Sequence, residues 1–510
     1  MNSILPSEHK LLTLAGGAVV LFVAFHVLQL VYTLFFSPLR KIPGPWWAAA
    51  SRLPYVYHLL IGHDIHFYLR DLHEKYGPVV RYTPTEISFV KGDQAWPEIY
   101  GHRIGKRAGV PHFEKDGFFL PPPATEAHPL ISTDFVSHTR QRKILTHSFS
   151  DSSLRNQEWV LHRTSNLLIS QLRKLSLGEA ADLSAWYNYA TFDCIADLVF
   201  GKSFGALESD EIRHHVEAVA NSIHSFGLYY CMRHWPVLQW LSRIFGPPKV
   251  IIARLKWIAY FREKLAARLA SNPERHDFVT GVLDKVSDQE AKGNEGISKA
   301  ELISNMSSFM VAGTGTTATL LKAATYFALA HEDVRQKVCD EVRTRFRSVE
   351  DITIEAVSNL PYTIAVLTEA LRVMPPATTG IPRKVPPGGA TLCGHYIPGN
   401  YNIGAVVSQY ASYHDPTNFR NPEDFVPERW MGDERYKDDN RGTFNPFSFG
   451  PRNCIGKNLA YAESRILFAK LFFTFDMKLD SKSENWFESC IVKTVWVEPP
   501  LLVHLTPVEH

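Results

Sequence analysis

Residues 447–456 read Phe447-Ser448-Phe449-Gly450-Pro451-Arg452-Asn453-Cys454-Ile455-Gly456. One cysteine is framed by two glycines, an arginine and an aromatic ring. Gly450 and Gly456 permit tight turns and the close approach of a flat group. Phe447 can shield the sulfur, and Arg452 brings a fixed positive charge. An apolar-periodic run follows, from about Gly456 to Phe475, so Cys454 sits at a helix start. There the backbone N–H groups and the helix dipole favour a thiolate. A lone cysteine is usually packing material. Yet the five fixed positions of Phe-x-x-Gly-x-Arg-x-Cys-x-Gly recur by chance on the order of once in ten thousand chains of this length. Cys194, Cys231, Cys339, Cys393 and Cys490 carry no such frame and form no Cys-x-x-Cys pair; no role follows for them.

Working outward, the chain has 510 residues, of which 45% are hydrophobic and 21% charged, with a formal net charge of +2. That balance excludes wholesale disorder and a polycationic nucleic-acid binder. Six cysteines are too few for a disulfide scaffold. Leu11 to Phe36 form an apolar run broken only by Thr13, His26, Gln29 and Thr33. A helix of that length reaches about 39 Å, against about 30 Å of bilayer hydrocarbon. It exceeds the apolar core of a cleaved signal peptide. The expected organisation is a short segment at 1–10, a single transmembrane anchor at 11–36, a Pro-rich hinge at 37–50 and one large unit at 51–510. Arg40 and Lys41 beyond the run place that unit in the cytosol.

The large unit reads as mainly α with small β-sheets. Tyr82 to Val90 alternates around Pro84, with Lys91-Gly92-Asp93 as its turn. Residues 101–135 form a long loop rich in Gly, Pro and aromatics, among them Phe113, Phe118 and Phe119. Helical patterns run from about 136 to 372, residues 374–408 turn β-like, and 411–446 are irregular. The clearest helix begins at Ser298, where Ser298 and Glu301 form a capping box. In its middle lies Ala312-Gly313-Thr314-Gly315-Thr316-Thr317, a run of poor helix formers that opens a groove. Glu369 and Arg372, at i,i+3, can form a bidentate ion pair.

A cysteine thiolate in a dry loop of this kind can ligate heme iron. With the motifs around it, the chain from the Pro43-Gly44-Pro45 hinge to the tail resembles the cytochrome P450 family, the heme-thiolate monooxygenases. The resemblance implies the P450 fold, heme b as cofactor and Cys454 as proximal iron ligand. It implies a structural network of Glu369, Arg372 and Arg429, the last in Pro427-Glu428-Arg429-Trp430, where Trp replaces the family's Phe. Arg383 and Arg452 would hold heme propionates, as would Arg142 and His138 in His138-x-x-x-Arg142, where His replaces Trp. Phe447 and Gly456 complete the cofactor site. Thr316 matches the oxygen-activating threonine, while Gly315 stands where the family carries an acid. Proton delivery would then pass through water, Thr314, Thr317 or a substrate hydroxyl. Ala312, Phe113, Phe118, Phe119 and the loop Pro375 to Ile381 would shape an apolar pocket. Arg140, Arg142, Lys143 and Lys457 would dock an acidic, NADPH-dependent diflavin reductase.

His73-Glu-Lys-Tyr-Gly-Pro-Val-Val-Arg81 and Asn421-Pro-Glu-Asp-Phe-Val-Pro-Glu-Arg-Trp430 look like the fungal isotrichodermin hydroxylase-like group. That likeness implies oxidation of a terpenoid or polyketide intermediate, with O2 as co-substrate and the endoplasmic reticulum as location. Two other readings stand beside it. One is a heme-thiolate desaturase, ring-forming or isomerising enzyme without net oxygen insertion, which the lost acid favours and Thr316 disfavours. The other is a non-catalytic heme sensor, which would need neither the threonine groove nor a basic docking face.

Overall fold

The computed structural model describes residues 16, 17, 20, 21, 24, 26–117, 119, 120, 122, 123, 125–176, 178–270, 277–286 and 296–509. Residues 11–15, 18, 19, 22, 23 and 25 of the expected anchor, together with Phe118, Pro121 and the start of the chain, lie outside them. Among the described residues no helix is long and apolar enough to cross a membrane. The described part from His26 to Val31 is helical and exposed, and passes into a wider turn at Tyr32–Phe36. The expected hinge is laid against a strand rather than hanging free. Arg81 N donates to Pro43 O at 2.7 Å, and a Cβ on Gly44 would come within 2.3 Å of the Arg81 carbonyl.

The main sheet has four strands: β1 (Val79–Thr83), β2 (Glu86–Phe89), β3 (Arg383–Lys384) and β4 (Gly404–Val407), in the order β1-β2-β4-β3. β1 and β2 form an antiparallel hairpin, whereas β2 and β4 run parallel. The sequence pattern placed Pro84 inside one strand. Instead Pro84 and Thr85 turn the hairpin, since proline cannot donate to the ladder. Residues 92–95 open a short helix (Gly92–Ala95), not the expected turn.

Six helices frame the site: α1 (Phe135–Leu145), α2 (Leu183–Phe200), α3 (Asp210–His234), α4 (Lys299–Ala330), α5 (Pro361–Val373) and α6 (Lys457–Thr474). Their starts follow local chemistry. Asp134 accepts from Val136 N and Ser137 N to cap α1. Asp182 caps α2, and Gly201 ends it at φ 73°. Ser298 and Glu301 close the expected capping box on α4. The first N–H groups of α5 are held from outside, by the Glu341 carboxylate on Tyr362 N and Thr363 N, both at 2.8 Å. α4 is buried on nearly every side, the mark of a central helix. It lies along α2, where a Cβ on Gly313 would meet Ile195 Cγ1 at 3.0 Å. Thr191 Oγ1 also donates to Thr314 O at 2.9 Å.

Candidate functional site

The loop before α6 is held by its backbone. Cys454 N donates to Phe447 O at 2.9 Å. Gly450 has φ 75°, and a Cβ there would stand 1.9 Å from the Tyr100 carbonyl oxygen, so only glycine fits. A Cβ on Gly456 would lie 3.9 Å from Cys454 Sγ. Phe447 packs edge-on against Tyr461 at 4.9 Å. Cys454 keeps an open surface, although many chain atoms surround its sulfur. Burial pushes the thiol up, while the Gly456 N–H and the charges of Arg142, Lys115 and Lys457 pull it back.

Positive groups crowd around this thiol from four parts of the chain. Arg142 on α1 donates to the backbone and side-chain oxygens of Asn453, both at 2.6 Å. Arg452 donates to Thr133 O at 2.9 Å and to Glu114 Oε2 at 2.7 Å. Arg383 on β3 is 3% exposed, stacks over Tyr100 at 5.1 Å, and its Nε has no partner among the described residues. Burial, with Arg452 adding, brings it down to about 10. His138 is buried, and burial with the charges of Arg452, Lys115, Arg142 and Arg383 brings it to about 3, so it is neutral.

Lys115 is the member that sequence reasoning missed. The segment around it pairs with β3: Lys384 N donates to Glu114 O at 2.8 Å, and Asp116 N to Pro382 O at 3.0 Å. Burial, then Arg383, Arg452 and Arg142, drive Lys115 well below the ordinary lysine range. No local pattern marks it, because only the strand pairing brings the long loop to the cysteine.

On α4, Ala312 is exposed and Thr316 half-buried, so this stripe has open surface. Thr316 Oγ1 donates to Ala312 O at 2.7 Å. Thr314 and Thr317 are buried, at 3% and 4% exposure, on other faces of the helix. Thr314 Oγ1 donates to its own helix, to Met310 O at 2.8 Å. Glycine at 315 is not imposed by packing, since a Cβ there would meet only Ile223 Cδ1, at 3.8 Å.

The expected ion-pair network is present and larger than expected. Arg372 grips Glu369 with Nε at 3.0 Å and Nη2 at 2.8 Å. Glu369 also accepts from Val426 N at 3.0 Å, Arg429 Nε at 3.4 Å and Trp430 Nε1 at 2.7 Å. The family's Phe could not make that last bond. Arg429 has a second, closer carboxylate in Asp439, at 2.5 Å. Two guanidiniums thus meet two carboxylates, a neutral buried set.

Two expected placements are corrected. Arg140 does not face a partner: it bonds Glu301 and the Gly296 carbonyl, the latter at 2.7 Å, fastening α1 to the start of α4. Arg142 likewise turns inward, which leaves Lys143 and Lys457 as the exposed members of that basic set. Phe113 packs with Trp96, Tyr100 and Ile87 in the smaller core beside the sheet, not beside Thr316. Phe119 joins the main core. In the loop 375–381, Gly380 has φ 70°, and a Cβ there would meet the Val407 carbonyl oxygen at 2.5 Å; Trp496 Nε1 bonds Pro375 O at 2.8 Å.

The amino-acid sequence matches known proteins over nearly its whole length. The cytochrome P450 family model matches residues 44–504. The cytochrome P450 monooxygenase traB of Penicillium crustosum is 38% identical over 507 residues, covering 98% of each chain. The monooxygenase efuB of Hormonema carpetanum is 39% identical over 496 residues, 96% of each chain. The monooxygenase cpaH of Aspergillus oryzae is 37% identical over 487 residues, 95% of this chain and 92% of its own. With both matches spanning nearly the whole length, the chain belongs to the cytochrome P450 family.

Proposed function

We propose that this protein is a heme-thiolate monooxygenase that oxidises a hydrophobic small molecule, a terpenoid or polyketide intermediate of fungal secondary metabolism. The family implies heme with a cysteine thiolate ligand, and the proposed form is heme b. The observation that carries the reading is the excess of buried positive groups around one thiol. Lys115, Arg142, Arg383 and Arg452 lie within one another's field, with the carboxylates of Glu114 and Asp134 beside Arg452, and the buried Arg383 Nε lacks a partner among the described residues. Two propionates supply the negative charge this set lacks.

Bound heme supplies electron transfer to O2 and oxidation of an unactivated C–H bond. This chain does the rest. Cys454 holds the metal as thiolate, with the Gly456 N–H and the helix start stabilising its charge. Arg383, Arg452, Lys115, Arg142 and neutral His138 hold the propionate edge. Phe447 and Tyr461 keep water from the sulfur. Ala312 leaves room for the substrate and O2, Thr316 offers a hydroxyl beside them, and Phe119 with the loop 375–381 bounds the apolar side. Electrons come from an NADPH-dependent diflavin reductase that docks by Lys143 and Lys457, and the apolar N-terminal run anchors the protein at the endoplasmic reticulum membrane.

The experiment is a mass-resolved product assay with the chain, a diflavin reductase and candidate terpenoids and polyketides. A product heavier by one oxygen atom, dependent on NADPH, is expected. Loss of two hydrogens, or rearrangement at constant mass, would replace hydroxylation by desaturation or ring formation.

Lys115→Met gives a separate check on the cofactor site. Lys115 is held among like charges, so its removal relieves repulsion in the heme-free chain but deletes a propionate partner. Heme affinity should fall about 10- to 100-fold, read by heme retention in competition with a heme-binding acceptor. Unchanged retention would remove Lys115 from the site.

A further inference from the structure

This inference rests on the oxygenase reading and concerns how protons reach its site. Oxygen insertion consumes two electrons and two protons for each O2, releasing one water. Gly315 offers no carboxylate to carry them. Ala312, Gly315, Thr316, Thr319 and Lys322 follow one another at helical spacing and form one stripe of α4. At Thr319 that stripe meets a carboxylate from the other end of the chain. Glu498 follows the strand Val495–Val497, and its Oε1 accepts from Thr319 Oγ1 at 2.5 Å. Its Oε2 pairs with Lys322 Nζ at 3.3 Å, and Lys322 is also held by Asn188 Oδ1 at 3.0 Å. The Glu498 and Lys322 side chains are 8% and 3% exposed. The far side of the notch is α3: Ile223 faces Gly315, and its neighbour His224 bonds the Lys493 carbonyl at 3.0 Å within the field of Glu498.

A tail glutamate bonded to a buried threonine, one helical turn from Thr316 on the same stripe, is more than a tie for the C-terminus. We infer that Glu498 is the carboxylate of the proton path in this protein, acting through Thr319 in place of the acid missing at 315. Three residues of helix separate Thr319 from Thr316, a rise of about 4.5 Å, which one bridging water spans. In each passage solvent first protonates the Glu498 carboxylate, which at rest accepts from Thr319 Oγ1; the carboxyl then gives that proton to the Thr319 oxygen as the hydroxyl turns and releases its own proton toward Thr316. One proton moves inward, and Glu498 and Thr319 end as carboxylate and hydroxyl, as they began. Lys322 keeps the carboxylate positioned between transfers. Glu498 is therefore a positioning residue for proton delivery, not a group that touches the substrate.

The test compares the full-length, heme-loaded parent with Glu498→Gln, Gly315→Asp and the double variant. It needs only the reductase, NADPH and O2, because the fraction of consumed NADPH that appears as H2O2 reports failed proton delivery. Glu498→Gln should raise that fraction by at least about threefold, within the range that loss of an acid–base group allows. Its melting temperature should fall, because Lys322 loses its carboxylate, while its thiolate absorbance spectrum should stay close to the parent's. Adding Gly315→Asp should return the fraction toward the parent value, because the space beside Gly315 accepts a side chain. An unchanged H2O2 fraction in Glu498→Gln would overturn the inference. So would a rise that Gly315→Asp leaves uncorrected, since Glu498 would then only be bracing α4. A parent that consumes no NADPH would overturn the oxygenase reading itself.

Discussion

Cys454→Ala is expected to yield a folded chain that has lost the thiolate absorbance signature and more than about 99% of its turnover, since replacing a direct metal ligand exceeds the 10- to 100-fold cost of losing a supporting one. The loop keeps its shape without the sulfur. Its contacts are the Cys454 N–H to the Phe447 carbonyl and the seat of Gly450 on the Tyr100 carbonyl, and neither uses the side chain. What goes is the sulfur whose thiolate form Arg142, Lys115 and Lys457 favour. Heme should therefore bind more weakly as well as with altered absorbance. Far-ultraviolet circular dichroism separates this from unfolding. An unchanged heme spectrum in Cys454→Ala would sink the assignment of the ligand. Gly450→Ala should do the opposite, disturbing the loop while leaving the sulfur in place.

The second large effect is on folding. Glu369→Ala removes the acceptor of Arg372, Arg429, Trp430 Nε1 and Val426 N together. Arg372 and Arg429 are fully buried, so one positive charge would be left without compensation. Breaking such a pair costs about 3–5 kcal/mol, a large share of a stability of about 5–15 kcal/mol. The variant should be recovered mostly as aggregate, without heme. Asp439→Asn should be nearly as damaging, because Asp439 balances the second guanidinium. A soluble Glu369→Ala protein with the parent's melting temperature would show that the network is dispensable. Trp430→Phe, which deletes one hydrogen bond and keeps the ring, should fold.

The cysteine loop, the capping box of α4 and the Glu369–Arg372 pair were legible because each is set by neighbours within ten residues. The same is true of the Gly315 departure. The alternation of Tyr82 to Val90 does not reveal the β1–β2 hairpin, because alternation alone does not say on which side of Pro84 the chain reverses. Arg140 was assigned to a surface because a basic run on a helix looks alike whether it faces solvent or a buried acid. Its partner, Glu301, had already been read as a cap, and the fold gives that carboxylate both tasks.

By itself the sequence determined the family, the candidate metal ligand and the central helix, since these rest on short-range spacing and on residue types with few other uses. Tertiary structure alone decided which charges meet. Lys115 reaches the cysteine only through pairing with β3, and Glu498 finds Thr319 across 179 positions of chain. A charge carries no periodicity and no preferred neighbour in sequence. Its partner is fixed only when burial removes water and leaves the nearest opposite charge as the sole compensation.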